Sequence, residues 1–150
     1  MKIASSAFKH GEKIPVLYTC QGKEINPPLL ISDVPKNTKS LVLIMDDPDV
    51  PRSVRQDGMW VHWVVFNMPP ETEEIKENMP PPGILGKGTE GKVGYQGPCP
   101  PDREHRYFFK LYALNSLLDL KDGATKEDVT KAMKGHIITQ TELIGTYSKK

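Results

Sequence analysis

Proline sets the first limit on this chain. Fourteen prolines stand among its 150 residues; ten fall between Pro48 and Pro101, and none follows. Proline lacks a backbone N–H and locks φ, so it breaks helix interiors and central strands. The middle of the chain must be short strands joined by turns and rigid loops. Ser40–Met45 is an unbroken apolar run and reads as a strand buried on both faces. It stops at Asp46-Asp47-Pro48-Asp49-Val50-Pro51. Trp60–Phe66 is a second strand, closed by Asn67 and Pro69-Pro70, and His105–Leu114 is a third. Residues 71–93 are acidic, then rich in proline and glycine, and predict a long loop with one helical turn near Glu73–Glu77. A helix is expected after Thr125, a suitable N-cap, with Glu127 and Asp128 in the first turn. Val129, Ala132 and Met133 give it an apolar stripe, and Gly135 fits its end. Glu142–Tyr147 reads as a short closing strand. The expectation is one mainly β domain over 1–150, antiparallel, arranged as a sandwich or barrel-like Greek key.

Composition removes several classes of function. With 37% hydrophobic and 26% charged residues, the chain is neither disordered nor a coiled coil. Twenty basic residues against nineteen acidic ones leave +1, which argues against nucleic acid as a partner. No run approaches the ~18 apolar residues of a transmembrane segment, and the first ten residues hold no signal-peptide core. Two cysteines, Cys20 and Cys99, make no disulfide framework. The expectation is a cytoplasmic protein with reduced thiols, Cys20 packed as a small apolar residue and Cys99 filling space in a loop.

Groups able to bind or react gather at the ends of the three strong strands. Alternation places Trp60, His62, Val64 and Phe66 on one face, and His105, Tyr107, Phe109 and Leu111 on another. Asp47 and Asp49 flank Pro48, and Gly97-Pro98-Cys99-Pro100-Pro101 forms a stiff loop between them and His105. Each piece alone has a plain structural explanation. The acids suit turns, His62 suits a hydrogen-bonded core position, and Tyr107 suits the core with its hydroxyl satisfied. If they converge, histidine and tyrosine donors with backbone N–H groups near Gly97 would cradle a phosphate- or carboxylate-like group. A neighbouring carboxylate would orient a histidine, and acidic residues at the rim would meet an ammonium.

These residues together resemble the phosphatidylethanolamine-binding proteins. The likeness is carried by Asp47-Pro48-Asp49-Val50-Pro51, His62-Trp63, Gly97-Pro98-Cys99-Pro100-Pro101 and His105-Arg106-Tyr107. It is nearest to the bacterial and archaeal Raf kinase inhibitor-like branch, which Ile14-Pro15, Tyr18-Thr19-Cys20, Asn26–Leu29 and Glu142–Tyr147 also resemble. The resemblance implies a Greek-key β-sandwich with one or two short helices near the C-terminus and a small surface pocket for an anion. Carried over position by position, its walls would be Asp47, Pro48, Asp49 and Pro51, then Trp60 and His62, then Gly97, Pro98, His105 and Tyr107. It implies cis peptide bonds before Pro51 and Trp60. Asp102-Arg103-Glu104 departs from the pattern by adding charge where many relatives carry glycine. The sequence ends at Lys150 and shows no counterpart of the C-terminal helix that borders the pocket in mammalian relatives.

Three functions compete on these residues. The first is non-catalytic binding of a small anionic or phosphorylated ligand, such as phosphate or a phosphoethanolamine-like head group. The second is inhibition of a protein partner, a kinase or protease, by analogy and through the 71–93 loop. The third is an enzyme, either with Cys99 as nucleophile beside His105 or as a metal-dependent hydrolase. No helix N-terminus is evident to activate Cys99, and no two candidate ligands sit at helical or hairpin spacing. No catalytic residue, metal or cofactor is therefore expected. Arg106 should point away from His105 into an ion pair, and an exposed edge strand offers a route to a homodimer.

Overall fold

In the computed structural model, which describes residues 1–150, eight strands and one α-helix follow one another. They are β1 (Lys2–Ala4), β2 (Leu29–Ser32), β3 (Ser40–Asp47), β4 (Trp60–Met68), β5 (Glu74–Ile75), β6 (Ile84–Leu85), β7 (His105–Leu114), α1 (Lys126–Met133) and β8 (Ile137–Tyr147). The three strong apolar runs become neighbours in a five-stranded antiparallel sheet of order β6-β4-β3-β7-β8. A three-stranded antiparallel sheet, β1-β2-β5, is the second layer.

Every residue of β3 is buried, as its unbroken apolar run requires, because the large sheet is covered on both faces. Leu41, Leu43 and Met45 join Ile3, Leu29, Ile31 and Ile75 in the core between the sheets. Val42 and Ile44 point the other way and meet Val129 and Met133 of α1. That helix starts where its sequence says. The Thr125 hydroxyl accepts from the Asp128 N–H at 3.2 Å, and Asp128 accepts from the Thr125 N–H at 3.0 Å. Gly135 leaves it at φ +82°, a conformation that favours glycine. No helix is long and apolar enough to cross a membrane.

Four expectations need correction. Residues 71–93 contain no helical turn; Leu29-Leu30 pair with Ile75 and Glu74, and Val65-Phe66 pair with Leu85 and Ile84. Two-residue strands draw their stability from partners distant in sequence, which local pattern does not reveal. The closing strand begins at Ile137 rather than Glu142, and its first half is a half-exposed edge paired with Leu111–Leu114. No peptide bond is cis, so those before Pro51 and Trp60 take the ordinary, lower-energy trans form. Finally, Cys20 and Cys99 form a disulfide across 79 residues, with Cα atoms 5.5 Å apart. The loop carrying Cys99 docks on the segment carrying Cys20 through Cys20 N–H to Pro98 O at 3.1 Å and Tyr95 O–H to Tyr18 O at 2.7 Å. That docking brings the sulfurs into range, and the expectation of reduced thiols does not hold.

Candidate binding pocket

β3 and β7 pair in plain register, Met45 opposite Phe109 and Asp46 opposite Phe108, so alternation persists to their ends. Asp47 and His105 thereby lie on the inter-sheet side, beyond the last core layer, and both are buried. The Asp47 Oδ2–His105 Nδ1 distance is 2.6 Å, and Asp47 Oδ1 accepts the Asp49 N–H at 2.8 Å. His105 Nε2 lies 2.7 Å from Asp102 Oδ1. Both contacts are hydrogen bonds at once only when both ring nitrogens carry protons, because a carboxylate only accepts.

β4 does not keep its alternation. Met45 pairs with Trp63 but Asp46 pairs with Val61, so His62 is an extra residue in the ladder, a β-bulge. His62 and Trp63 therefore both face the inter-sheet side. Val64 and Phe66 fall into the helix-side core with Val61, contrary to the shared face expected from the sequence. The bulge frees the backbone of His62 for the 86–97 loop. Its carbonyl accepts the Gln96 N–H at 3.0 Å, and its Nδ1 lies 2.9 Å from the Gln96 carbonyl oxygen. The Gln96 side chain accepts from Trp60 Nε1 at 2.9 Å and is tied to Glu90.

These groups enclose a pocket of about 240 Å³. Its lining includes Asp47, Trp60, His62, Gly97, His105 and Tyr107, six of the residues named from the sequence. Tyr107 stands between the imidazoles, edge-on to His62 at 5.3 Å and stacked with His105 at 6.5 Å between ring centres. Its hydroxyl is fully buried and has no hydrogen-bond partner.

Four expected wall residues, Pro48, Asp49, Pro51 and Pro98, are not in the lining. Asp49 is committed elsewhere, accepting from Arg106 Nη2 at 2.8 Å and from its Nε and backbone N–H at 2.9 Å. That is the ion pair expected of Arg106. The three prolines shape the turns behind the wall. Nor does the Gly97 N–H reach into the pocket; it donates to Glu24 Oε2 at 3.0 Å. Glycine is needed there because a Cβ would overlap the Tyr18 carbonyl oxygen. The sequence reading missed Val50, Val54, Gln96, Cys99, Pro100 and Pro101, which complete the lining, and Asp102 as a partner of His105. Asp102, two residues beyond the lining proline Pro100, could have been flagged by its charge and its i, i+3 spacing to His105.

The electrostatics follow from burial and pairing. Burial drives the His62 ring down to about 4, so it is neutral near pH 7. Burial raises Asp47 against the opposing hydrogen bond from His105. The Arg106 hydrogen bond holds Asp49 low, and the His105 hydrogen bond holds Asp102 low. Burial pushes the Tyr107 phenol well up, so it stays an O–H donor.

On the far face, Asp46 is fully buried and accepts from Lys126 at 2.8 Å and Lys110 at 3.1 Å. Successive residues Asp46 and Asp47 thus serve opposite faces of β3. One anchors α1 to the sheet, and the other holds His105.

Comparison with known proteins places the whole chain in a family. The family model described as phosphatidylethanolamine-binding protein matches residues 4–148. The chain belongs to the phosphatidylethanolamine-binding protein family. A UPF0098 protein of Chlamydia trachomatis serovar D is 51% identical over 149 residues, 99% of each chain. One of Methanothermobacter thermautotrophicus is 48% identical, again with 99% of each chain covered. The crystal structure of a phosphatidylethanolamine-binding protein homolog, CT736 of Chlamydia trachomatis, superposes with a TM-score of 0.96 at 51% identity, covering 99% of this chain and 97% of that one. Escherichia coli YBCL, described as a member of the mammalian family, superposes at 0.88 with 27% identity, covering 99% and 98%. The mainly β, two-sheet architecture with one late helix is thus the family's fold.

Proposed function

We propose that this phosphatidylethanolamine-binding protein family member is a non-catalytic binder of a small oxyanion, a phosphate or a phosphoethanolamine-like head group, in the pocket between His62, His105 and Tyr107. The observation that carries this reading is Tyr107, a lining residue of the pocket whose buried hydroxyl has no partner. A buried hydroxyl without a partner costs about 1–3 kcal/mol, and a ligand oxygen would recover it. The exposed Asp102 carboxylate near the mouth suits an ammonium on the same ligand. Both cysteines are bonded, no serine or threonine lines the pocket, and both nitrogens of His105 are occupied by carboxylates.

The test is an NMR titration of the folded protein with phosphoethanolamine, following the ring signals of His62, His105 and Tyr107. Saturable shifts of all three are expected. Their absence at millimolar ligand overturns the reading.

A further inference from the structure

The donor and acceptor balance of the pocket says more than that an oxyanion fits. Nδ1 of His62 faces the Gln96 carbonyl, which can only accept, so Nδ1 carries the ring proton. Burial opposes a second proton on this ring, so Nε2 keeps its lone pair, and no protein donor bonds it. Asp47 is another acceptor, and its oxygens already take the Asp49 N–H and a His105 N–H. His105 has no N–H to spare, and Gly97 spends its own on Glu24. The donor left for a ligand is the Tyr107 hydroxyl, which no protein acceptor takes. Two carboxyl groups, Asp47 and Asp102, flank the single His105 ring between them. This is the reverse of a phosphate cradle built from many N–H groups.

We propose that the pocket takes its ligand as a protonated oxyanion, the monoanion of a phosphomonoester, one of whose unprotonated oxygens accepts from Tyr107 and whose remaining proton is donated to Nε2 of His62. The proposal rests on the reading that this pocket binds an oxyanion. A fully deprotonated dianion of the same shape brings no proton; it sets an oxygen lone pair against the His62 lone pair and two charges beside the Asp47 carboxylate. Such an unmatched contact costs far more than a missing methyl group in an apolar pocket. The titratable groups around His62 are Asp47 from β3, His105 and Tyr107 from β7, Glu90 through Gln96 and Glu24 behind Gly97, with Asp46 acting on it from the opposite face of β3. Asp102 faces it only through His105.

The experiment is calorimetric titration of the full chain with three probes across pH. They are methyl phosphate, which can lose its last proton; sulfate, a dianion without one; and dimethyl phosphate, a permanent monoanion without one. A phosphomonoester loses its second proton near a pKa of about 6, so its monoanion falls about tenfold between pH 7 and pH 8. Methyl phosphate affinity should fall by the same factor, and sulfate should bind at least about a hundredfold more weakly than methyl phosphate at pH 6. His62→Gln, which offers an amide donor in place of the lone pair, should bring sulfate to within about tenfold of methyl phosphate. Sulfate binding as tightly as methyl phosphate to the native protein overturns the proposal while leaving the oxyanion reading intact. So does a methyl phosphate affinity that is flat in pH. A matching fall for dimethyl phosphate would trace the slope to protein groups and likewise overturn it. No binding of any probe at any pH overturns the oxyanion reading itself. If His62→Gln does not fold, the three probes on the native chain still decide.

Discussion

At the scale of single residues, the pocket keeps groups that a core would discard. Tyr107 is completely buried with an idle hydroxyl, yet phenylalanine would fill the same space without that cost. Tyr107→Phe should therefore leave the ligand-free protein as stable as before, or up to about 1 kcal/mol more stable, in urea unfolding. Its affinity for phosphoethanolamine should fall about tenfold in the NMR titration, the worth of one hydrogen bond to an anion. A clear loss of stability with unchanged affinity would mean the hydroxyl serves the fold. His62 makes a second trade. Its folded-state value is about 4, below the ~6.5 of an exposed imidazole. The unfolded chain therefore binds the proton more readily. The stability that the neutral ring contributes is full above about pH 6.5 and is lost progressively as pH falls toward 4, by about 3 kcal/mol at most. The urea midpoint should drop across that window, and His62→Gln should flatten the drop. Identical profiles for the two proteins would show that the native ring is not held neutral.

At the scale of elements, legibility divides along how local the cause is. The three central strands were readable because their residues satisfy a two-sided core directly; Leu41, Val42, Leu43 and Ile44 leave no polar face for water. α1 was readable because capping chemistry lies within four residues, Thr125 to Asp128. The two-residue strands β5 and β6 were not, because Ile75 and Leu85 become strand only by pairing with Leu29 and Val65. The bulge in β4 was equally hidden. Strict alternation aims His62 correctly but carries Val64 and Phe66 to the wrong side, and nothing in Val61-His62-Trp63 announces an extra residue. The site shows the same division. Residues on strands, Asp47, Trp60, His62, His105 and Tyr107, line the pocket because strand geometry fixes them. Loop residues did not follow the motif so closely. Asp49 turned outward to Arg106, and the Gly97 amide turned to Glu24. Asp102 moved into contact with His105. Loop side chains choose partners by charge and reach, and these become known only with the fold.

At the scale of the molecule, the Cys20–Cys99 bond joins the N-terminal third to the loop that walls the pocket, closing 79 residues of chain. In the chain-entropy account a cross-link of that span restricts the unfolded state by about 4 kcal/mol. Its contribution to the native pocket is a separate matter. The same loop is also held by the Cys20 N–H to Pro98, the Tyr95 hydroxyl to Tyr18 and the Gly97 N–H to Glu24, none of which needs the sulfurs joined. Reduction should therefore separate stability from binding. The Cys20→Ser, Cys99→Ser double variant, or the native protein under a dithiol reductant, should melt roughly 8–16 °C lower, given about 2–4 °C per kcal/mol for a chain of this size. Well below that melting point, its affinity for phosphoethanolamine should stay within about threefold of the oxidised protein, since three hydrogen bonds of about 1 kcal/mol each still hold the wall in place. Calorimetric melting paired with ligand titration on the same samples reads both quantities. Affinity collapsing in a reduced protein that is still folded would show that the covalent link, rather than the hydrogen-bonded docking of residues 95–98, fixes the wall. An unchanged melting temperature would show that the unfolded chain gains little freedom when the link is cut.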